Sequence, residues 1–119
     1  MRTERKEERK KLIAFTPVHD SRRNVLLGYL GDLTLKGAMI VGQRPVEVDN
    51  TISLAIDFRE TAEFSAIRLT IPARVAWCQQ DETSHDFNTG VEFQEVSDQD
   101  KRVIEAILER YQFRRETST

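Results

Sequence analysis

The sequence predicts a mainly β fold: a small six-stranded antiparallel β-barrel with a C-terminal α-helix. Two runs predict the strands. Ile52, Leu54, Ile56 and Phe58 alternate with Ser53, Ala55 and Asp57, and Ile67, Leu69, Ile71, Ala73, Val75 and Trp77 alternate with Arg68, Thr70, Pro72, Arg74 and Ala76. Period-two alternation buries one face of a sheet and wets the other. The ending predicts the helix, because Val103, Ile104, Ile107, Leu108 and Tyr111 recur at helical spacing and form one apolar stripe. Short strands joined by polar turns favour a barrel over a sandwich, since closure removes the edges a half-polar sheet would expose.

In chain order, residues 1–11 read as a polar arm with no apolar face to hold a helical turn down. Leu12 to Val18 is apolar and partly β-branched, and Pro17, which cannot donate to a ladder, marks an edge or a bulge. His19 to Asn24 reads as a turn, with Asp20, Ser21 and Asn24 as turn formers. Val25 to Leu33 is the second strand of a hairpin, its glycines suggesting bulges or close backbone approach. Gly37 to Val41 is a third strand. In the long run 67–77, Pro72 predicts a bend or bulge that turns a barrel corner. Counting by twos places Trp77 in the core with Val75 and Ile71, and turns Cys78 to the other face. Asp81 to Asn88 reads as a loop before a last strand at Val91 and Phe93. Ser97, followed by Asp98 and Asp100, is a helix start with acids in the first turn, while Arg110, Arg114 and Arg115 suit the negative end of the dipole. The domain reading is therefore an arm at 1–11, a barrel over 12–96, a helix over 97–113 and a polar tail at 114–119.

Composition narrows the function classes. A chain of 119 residues suits one domain. Its formal net charge of −2 disfavours a general nucleic-acid binder. The charge is uneven: residues 1–11 carry +3 and the rest of the chain −5, so a basic arm sits on an acidic body. Single-stranded nucleic acid would need aromatics interleaved with cations on one face, whereas several of the nine aromatics fall at core positions. Cys78 is the only cysteine, which excludes an internal disulfide and a cysteine-based zinc site and fits a reducing compartment. His19 and His85 are too few and too isolated for a metal. The charged N-terminus lacks a signal-peptide pattern and no run reaches the length of a membrane span, so the expectation is a cytoplasmic protein. His19-Asp20-Ser21 looks like part of a triad, but neighbours on one turn rarely form a nucleophile relay. No convincing set of catalytic groups exists, and the chain reads as a binding protein rather than an enzyme.

Two short patterns carry the chemistry. Arg5-Lys6-Glu7-Glu8-Arg9 is R-x-x-x-R, and Asp32-Leu33-Thr34-Leu35-Lys36-Gly37 is D-x-T-x-x-G. An arginine fork grips phosphate or the O6/N7 edge of guanine with two bonds and stacks on purines. A carboxylate such as Asp32 accepts two parallel bonds, matching the N1–H and N2–H pair of guanine. On a strand, Asp32 and Thr34 share one face while Leu33 and Leu35 point into the core. Gly37 permits a sharp turn or the close approach of a flat ligand. The competing reading is an Asp-Leu-Thr turn whose side chains merely cap local N–H groups. Arg68 and Arg74 share the polar face of their strand; such residues are usually solvated, and Arg74 could border a ligand.

Together these patterns resemble the two signatures of the PilZ domain, the bacterial receptor family for cyclic di-GMP. In that family R-x-x-x-R lies just before the first barrel strand, and D/N-x-S-x-x-G follows some twenty to thirty residues later. The match is at Arg5, Arg9, Asp32 and Gly37. Thr34 stands where serine is usual, keeping the hydroxyl and adding a methyl; Glu4 and Lys6 flank Arg5 where a doubled arginine is common. Ala73-Arg74-Val75-Ala76-Trp77 and Gly90-Val91-Glu92-Phe93 look like the family's late strands, so the resemblance covers about residues 4–112. It implies a second-messenger receptor without cofactor, its ligand clamped between the Arg5/Arg9 arm and the Asp32, Thr34, Gly37 strand. It also implies an unidentified downstream protein, with oligomeric state open. The alternative is a PilZ-fold adaptor that binds no nucleotide and acts through protein contacts in motility or pilus control.

Overall fold

The structure, a computed structural model, describes residues 16–59 and 65–110. Six strands, β1 (Pro17–Asp20), β2 (Val25–Leu33), β3 (Gly37–Gly42), β4 (Thr51–Phe58), β5 (Ile67–Gln80) and β6 (Phe87–Phe93), precede helix α1 (Asp98–Arg110). All pair antiparallel in one closed barrel of order β1-β2-β3-β6-β5-β4. β5 closes it: residues 67–74 pair with β4 and residues 73–80 with β6. One strand thus serves two neighbours in succession, as strand tilt in a small barrel requires.

The core follows the alternation. Val18, Leu30, Leu33, Ile40, Leu54, Ile56, Leu69, Ile71, Ala73 and Val75 are buried in one cluster. Ile104 and Ile107 of α1 belong to the same cluster, so the helix contributes to the barrel core. Ser97 caps α1 as expected, its Oγ accepting from the Asp100 N–H at 3.1 Å.

Several elements differ from the sequence reading. Leu12 to Phe15 lie outside the described residues. His19 and Asp20 belong to β1 rather than to the turn, because each pairs on both sides: His19 with Leu26 and Ala55, Asp20 with Val25 and Leu54. Tertiary pairing overrides turn propensity there. Likewise Phe87 and Asn88 are strand, paired with Gly42 and Val41 of β3 and with Gln80 and Gln79 of β5.

Pro72 makes no bulge. It pairs with Ser53 in an unbroken β4–β5 register, and its carbonyl accepts from Gln94 N–H at 2.8 Å. Its missing N–H therefore faces Gln94, just past the end of β6, so the only ladder bond it forgoes is at the terminal pair. The irregularity falls between Val75 and Trp77 instead. An extra residue on β5 shifts the alternation by one. Trp77 is consequently 44% exposed rather than in the core, and Cys78 turns inward. There its Sγ accepts from Thr89 Oγ1 at 3.4 Å and from Val46 N–H at 3.5 Å.

Candidate functional site

A second bulge shapes the D-x-T-x-x-G segment. Leu30 and Leu33 are three residues apart, a spacing that normally sends them to opposite faces, yet both are buried. The register shift between Leu30 and Asp32 reconciles them and leaves Gly31 and Asp32 together on the outer side. Asp32 is half-buried, and its Oδ1 accepts from the Leu33 N–H at 2.9 Å. Its Oδ2 has no hydrogen-bond partner among the described residues, and so retains acceptor capacity toward the outside.

β2 ends at Leu33, so Thr34 is not a strand residue. Its N–H donates to Gly37 O at 2.9 Å, and its Oγ1 accepts from the N–H groups of Lys36 and Gly37, each at 3.1 Å. The hydroxyl also donates to Gly37 O at 3.3 Å. One donor and two lone pairs are the whole capacity of a hydroxyl, and all are spent within the turn. Leu35, expected in the core, rides on this turn and is 38% exposed. Gly37 is required by close packing: a Cβ there would collide with the carbonyl oxygen of Val91 on β6. The Lys36 carbonyl accepts from Phe93 N–H at 2.8 Å, which ties the turn to the end of β6.

Reading across the barrel wall, Asp32 pairs with Met39, Met39 with Gly90, and Gly90 with Trp77. These four form one row over β2, β3, β6 and β5. At about 4.8 Å per strand, Trp77 lies about 14 Å from Asp32. Gly90 is what lets the indole lie flat against the wall, since a Cβ there would collide with Trp77 Nε1 and Cε2. Trp77 is the site feature that strict period-two counting missed. The available signal was Gly90, a glycine inside a strand pattern.

The next row runs Gly37, Glu92, Arg74. Arg74 is not simply solvated: Nη1 bonds Asp49 Oδ1 at 2.7 Å and Nη2 bonds Glu92 Oε1 at 3.0 Å. The hydrogen bond to Glu92, then its charge, raise the Arg74 pKa further above its already high ordinary value. Arg68 Nε pairs with Asp57 Oδ1 at 3.0 Å on another part of the wall. His19, Asp20 and Ser21 disperse to separate partners. His19 Nδ1 faces Asp57 at 3.4 Å, Asp20 Oδ1 accepts from Arg22 N–H at 3.1 Å, and Ser21 Oγ bonds Ser53 Oγ at 2.7 Å.

Arg5 and Arg9 lie outside the described residues. The described chain begins at Thr16, whose carbonyl accepts from Leu30 N–H at 2.8 Å, two residues from Asp32. A concavity of about 1400 Å³ reaches along β2 as far as Gly31, next to Asp32. It is lined by β2, the start of β4, the β1–β2 turn and the β3–β4 connection, including Arg22, Leu26, Tyr29 and Arg44, and omits Asp32, Thr34 and Gly37. The motif therefore sits on an open wall, where a ligand needs a second covering element to be enclosed. Among the described residues no group of three or more His, Cys, Asp or Glu could hold a metal ion, and no helix is long and apolar enough to cross a membrane.

A closed six-stranded barrel with a C-terminal helix that adds Ile104 and Ile107 to its core, and a D-x-T-x-x-G turn on its wall, defines a class. The PilZ domain model matches residues 3–110, and the chain belongs to that family. Among solved structures, it is similar to the Bacillus subtilis inhibitor of motility, MotI/DgrA, with a TM-score of 0.64 at 13% identity. That match covers 80% of this chain and 45% of MotI/DgrA, so this chain spans less than half of that protein. At this identity the likeness concerns the fold. No curated protein matches the sequence.

Proposed function

We propose that this PilZ domain is a cyclic di-GMP-binding signalling effector without catalytic activity. The observation that carries the reading is the row across the barrel wall. At one end the Oδ2 of Asp32 is unsatisfied among the described residues; at the other is the exposed face of Trp77. A carboxylate reads the Watson–Crick edge of guanine, and an indole face stacks on a base. Arg5 and Arg9 cover the ligand from outside and bind its phosphates with charge-assisted forks. The ordering entropy of the arm is offset by those bonds. Thr34 acts as a positioning residue: its hydroxyl holds the turn that carries Asp32 and Gly37 into place. The cytoplasm, where a lone thiol stays reduced, is the compartment that suits this role, and a downstream protein reads the arm's changed position.

Isothermal titration calorimetry tests this directly. Arg5→Ala and Arg9→Ala abolish tight binding with the fold intact, and Asp32→Ala lets cyclic di-AMP compete equally with cyclic di-GMP. Unchanged affinity in both arginine variants rejects the assignment.

One observation favours the second reading, an adaptor working through protein contacts without nucleotide. β2 exposes Val25, Leu26 and Tyr29 at 46%, 48% and 43%, an apolar patch suited to a protein partner. A wild-type protein whose melting temperature is unmoved by any cyclic dinucleotide supports this reading, because a ligand specific for the native state must raise it.

A further inference from the structure

We propose that Arg74 is a shared cation. Without ligand it pairs with both Asp49 and Glu92; with cyclic di-GMP bound it releases Asp49 in exchange for a ligand phosphate, and the β3–β4 connection loosens. The inference rests on the receptor reading and assigns that site an additional contact and an output.

Position is the first support. Glu92 pairs with Gly37 on one side and with Arg74 on the other. Arg74 therefore lies two strands, about 10 Å, from the last residue of the motif. It stands three residues before Trp77 on the same strand. Donor capacity is the second. A guanidinium has five N–H groups, and among the described residues only one on Nη1 and one on Nη2 are engaged, by Asp49 and Glu92. The others suit the oxygens of a phosphodiester, which the planar fork fits better than it fits two separate carboxylates.

Exposure is the third support. The Arg74, Asp49 and Glu92 side chains are 36%, 76% and 55% accessible. Exposed ion pairs are weak and exchange readily for a stronger anion. The two acids are not equivalent in this exchange. Glu92 is fixed within β6 by pairing on both sides, whereas Asp49 lies in the connection between β3 and β4. Asp49 has a positive φ of 73° and is held by its N–H to Val75 O at 2.8 Å and by its ion pair to Arg74. Left-handed backbone is disfavoured for a residue with a Cβ, so loss of the ion pair relaxes this segment.

The test uses the full chain as wild type, Asp49→Asn and Arg74→Gln, all changes on the surface. Calorimetric titration with cyclic di-GMP gives about tenfold weaker binding for Arg74→Gln, the loss of one charge-assisted phosphate contact. Asp49→Asn binds about two- to fivefold tighter, because Arg74 no longer has to be released. In hydrogen exchange, amides of residues 43–50 speed up when the wild type is saturated. In Asp49→Asn they are already fast and do not respond. A merely structural Arg74 does not predict the tightening. Equal or weaker affinity for Asp49→Asn, or unaltered exchange over 43–50 at saturation, overturns the shared-cation proposal while leaving the receptor standing. A wild type that binds no cyclic di-GMP removes both.

Discussion

Replacing Trp77 with alanine separates two accounts of the barrel wall in one experiment. Had strict alternation persisted along β5, Trp77 would fill the core and its truncation would cost about 3–5 kcal/mol. The bulge after Val75 leaves it 44% exposed, lying over Gly90, so roughly half of that packing is at stake. The expected cost is thus about 1.5–2.5 kcal/mol, read as a fall in the urea midpoint with unchanged slope. On the ligand side, loss of one base-stacking platform weakens binding by about 1–3 kcal/mol, or roughly 5- to 150-fold. Because Trp77 is the only tryptophan, intrinsic fluorescence reports on this position alone. Its emission should be that of a partly solvated indole, accessible to a soluble quencher, and should change on titration with cyclic di-GMP. A core-like emission shielded from quencher, together with a stability loss of about 3–5 kcal/mol, would refute the bulge and the row built on it.

Other substitutions probe the remaining parts. Thr34→Val strips the acceptor from the N–H groups of Lys36 and Gly37 and should cost about 0.5–1.5 kcal/mol in urea unfolding; Thr34→Ser should keep stability and ligand affinity near wild type. Ile104→Ala opens a hole where α1 meets the barrel core and should cost about 2–5 kcal/mol by the same assay, exceeding the effect of any exposed position on the helix. Raising the salt concentration should weaken cyclic di-GMP binding by the wild type in calorimetry, and an affinity indifferent to salt would count against phosphate contacts by charged side chains.

Much of this architecture was legible because its signals are local. The alternation over 52–58 and along β5 up to Val75, and the stripe through Ile104 and Ile107, specify faces by period alone. The turn 34–37 was legible as well: the capping geometry set against ligand contact in the reading of the motif is the one Thr34 adopts. The glycines of β2 signalled the bulge found at Gly31, whereas the bulge on β5 after Val75 was not signalled on its own strand. Pro72 looked like the corner, yet its missing N–H falls where β6 has ended, so no bulge was needed.

The amino-acid order by itself therefore determined the central strands and the helix, and that a carboxylate and a hydroxyl lie near one another at positions 32–37, while pairing drew His19, Asp20, Phe87 and Asn88 into strands. Only closure of the barrel decided which way certain side chains face. The extra residues on β2 and β5 exist because each of those strands must stay in step with two neighbours at once. The bulge on β5 reverses the phase set by counting, bringing Trp77 out onto the row of Asp32 and turning Cys78 in. The physical reason is that alternation is a property of one strand, whereas a bulge is a property of a pair.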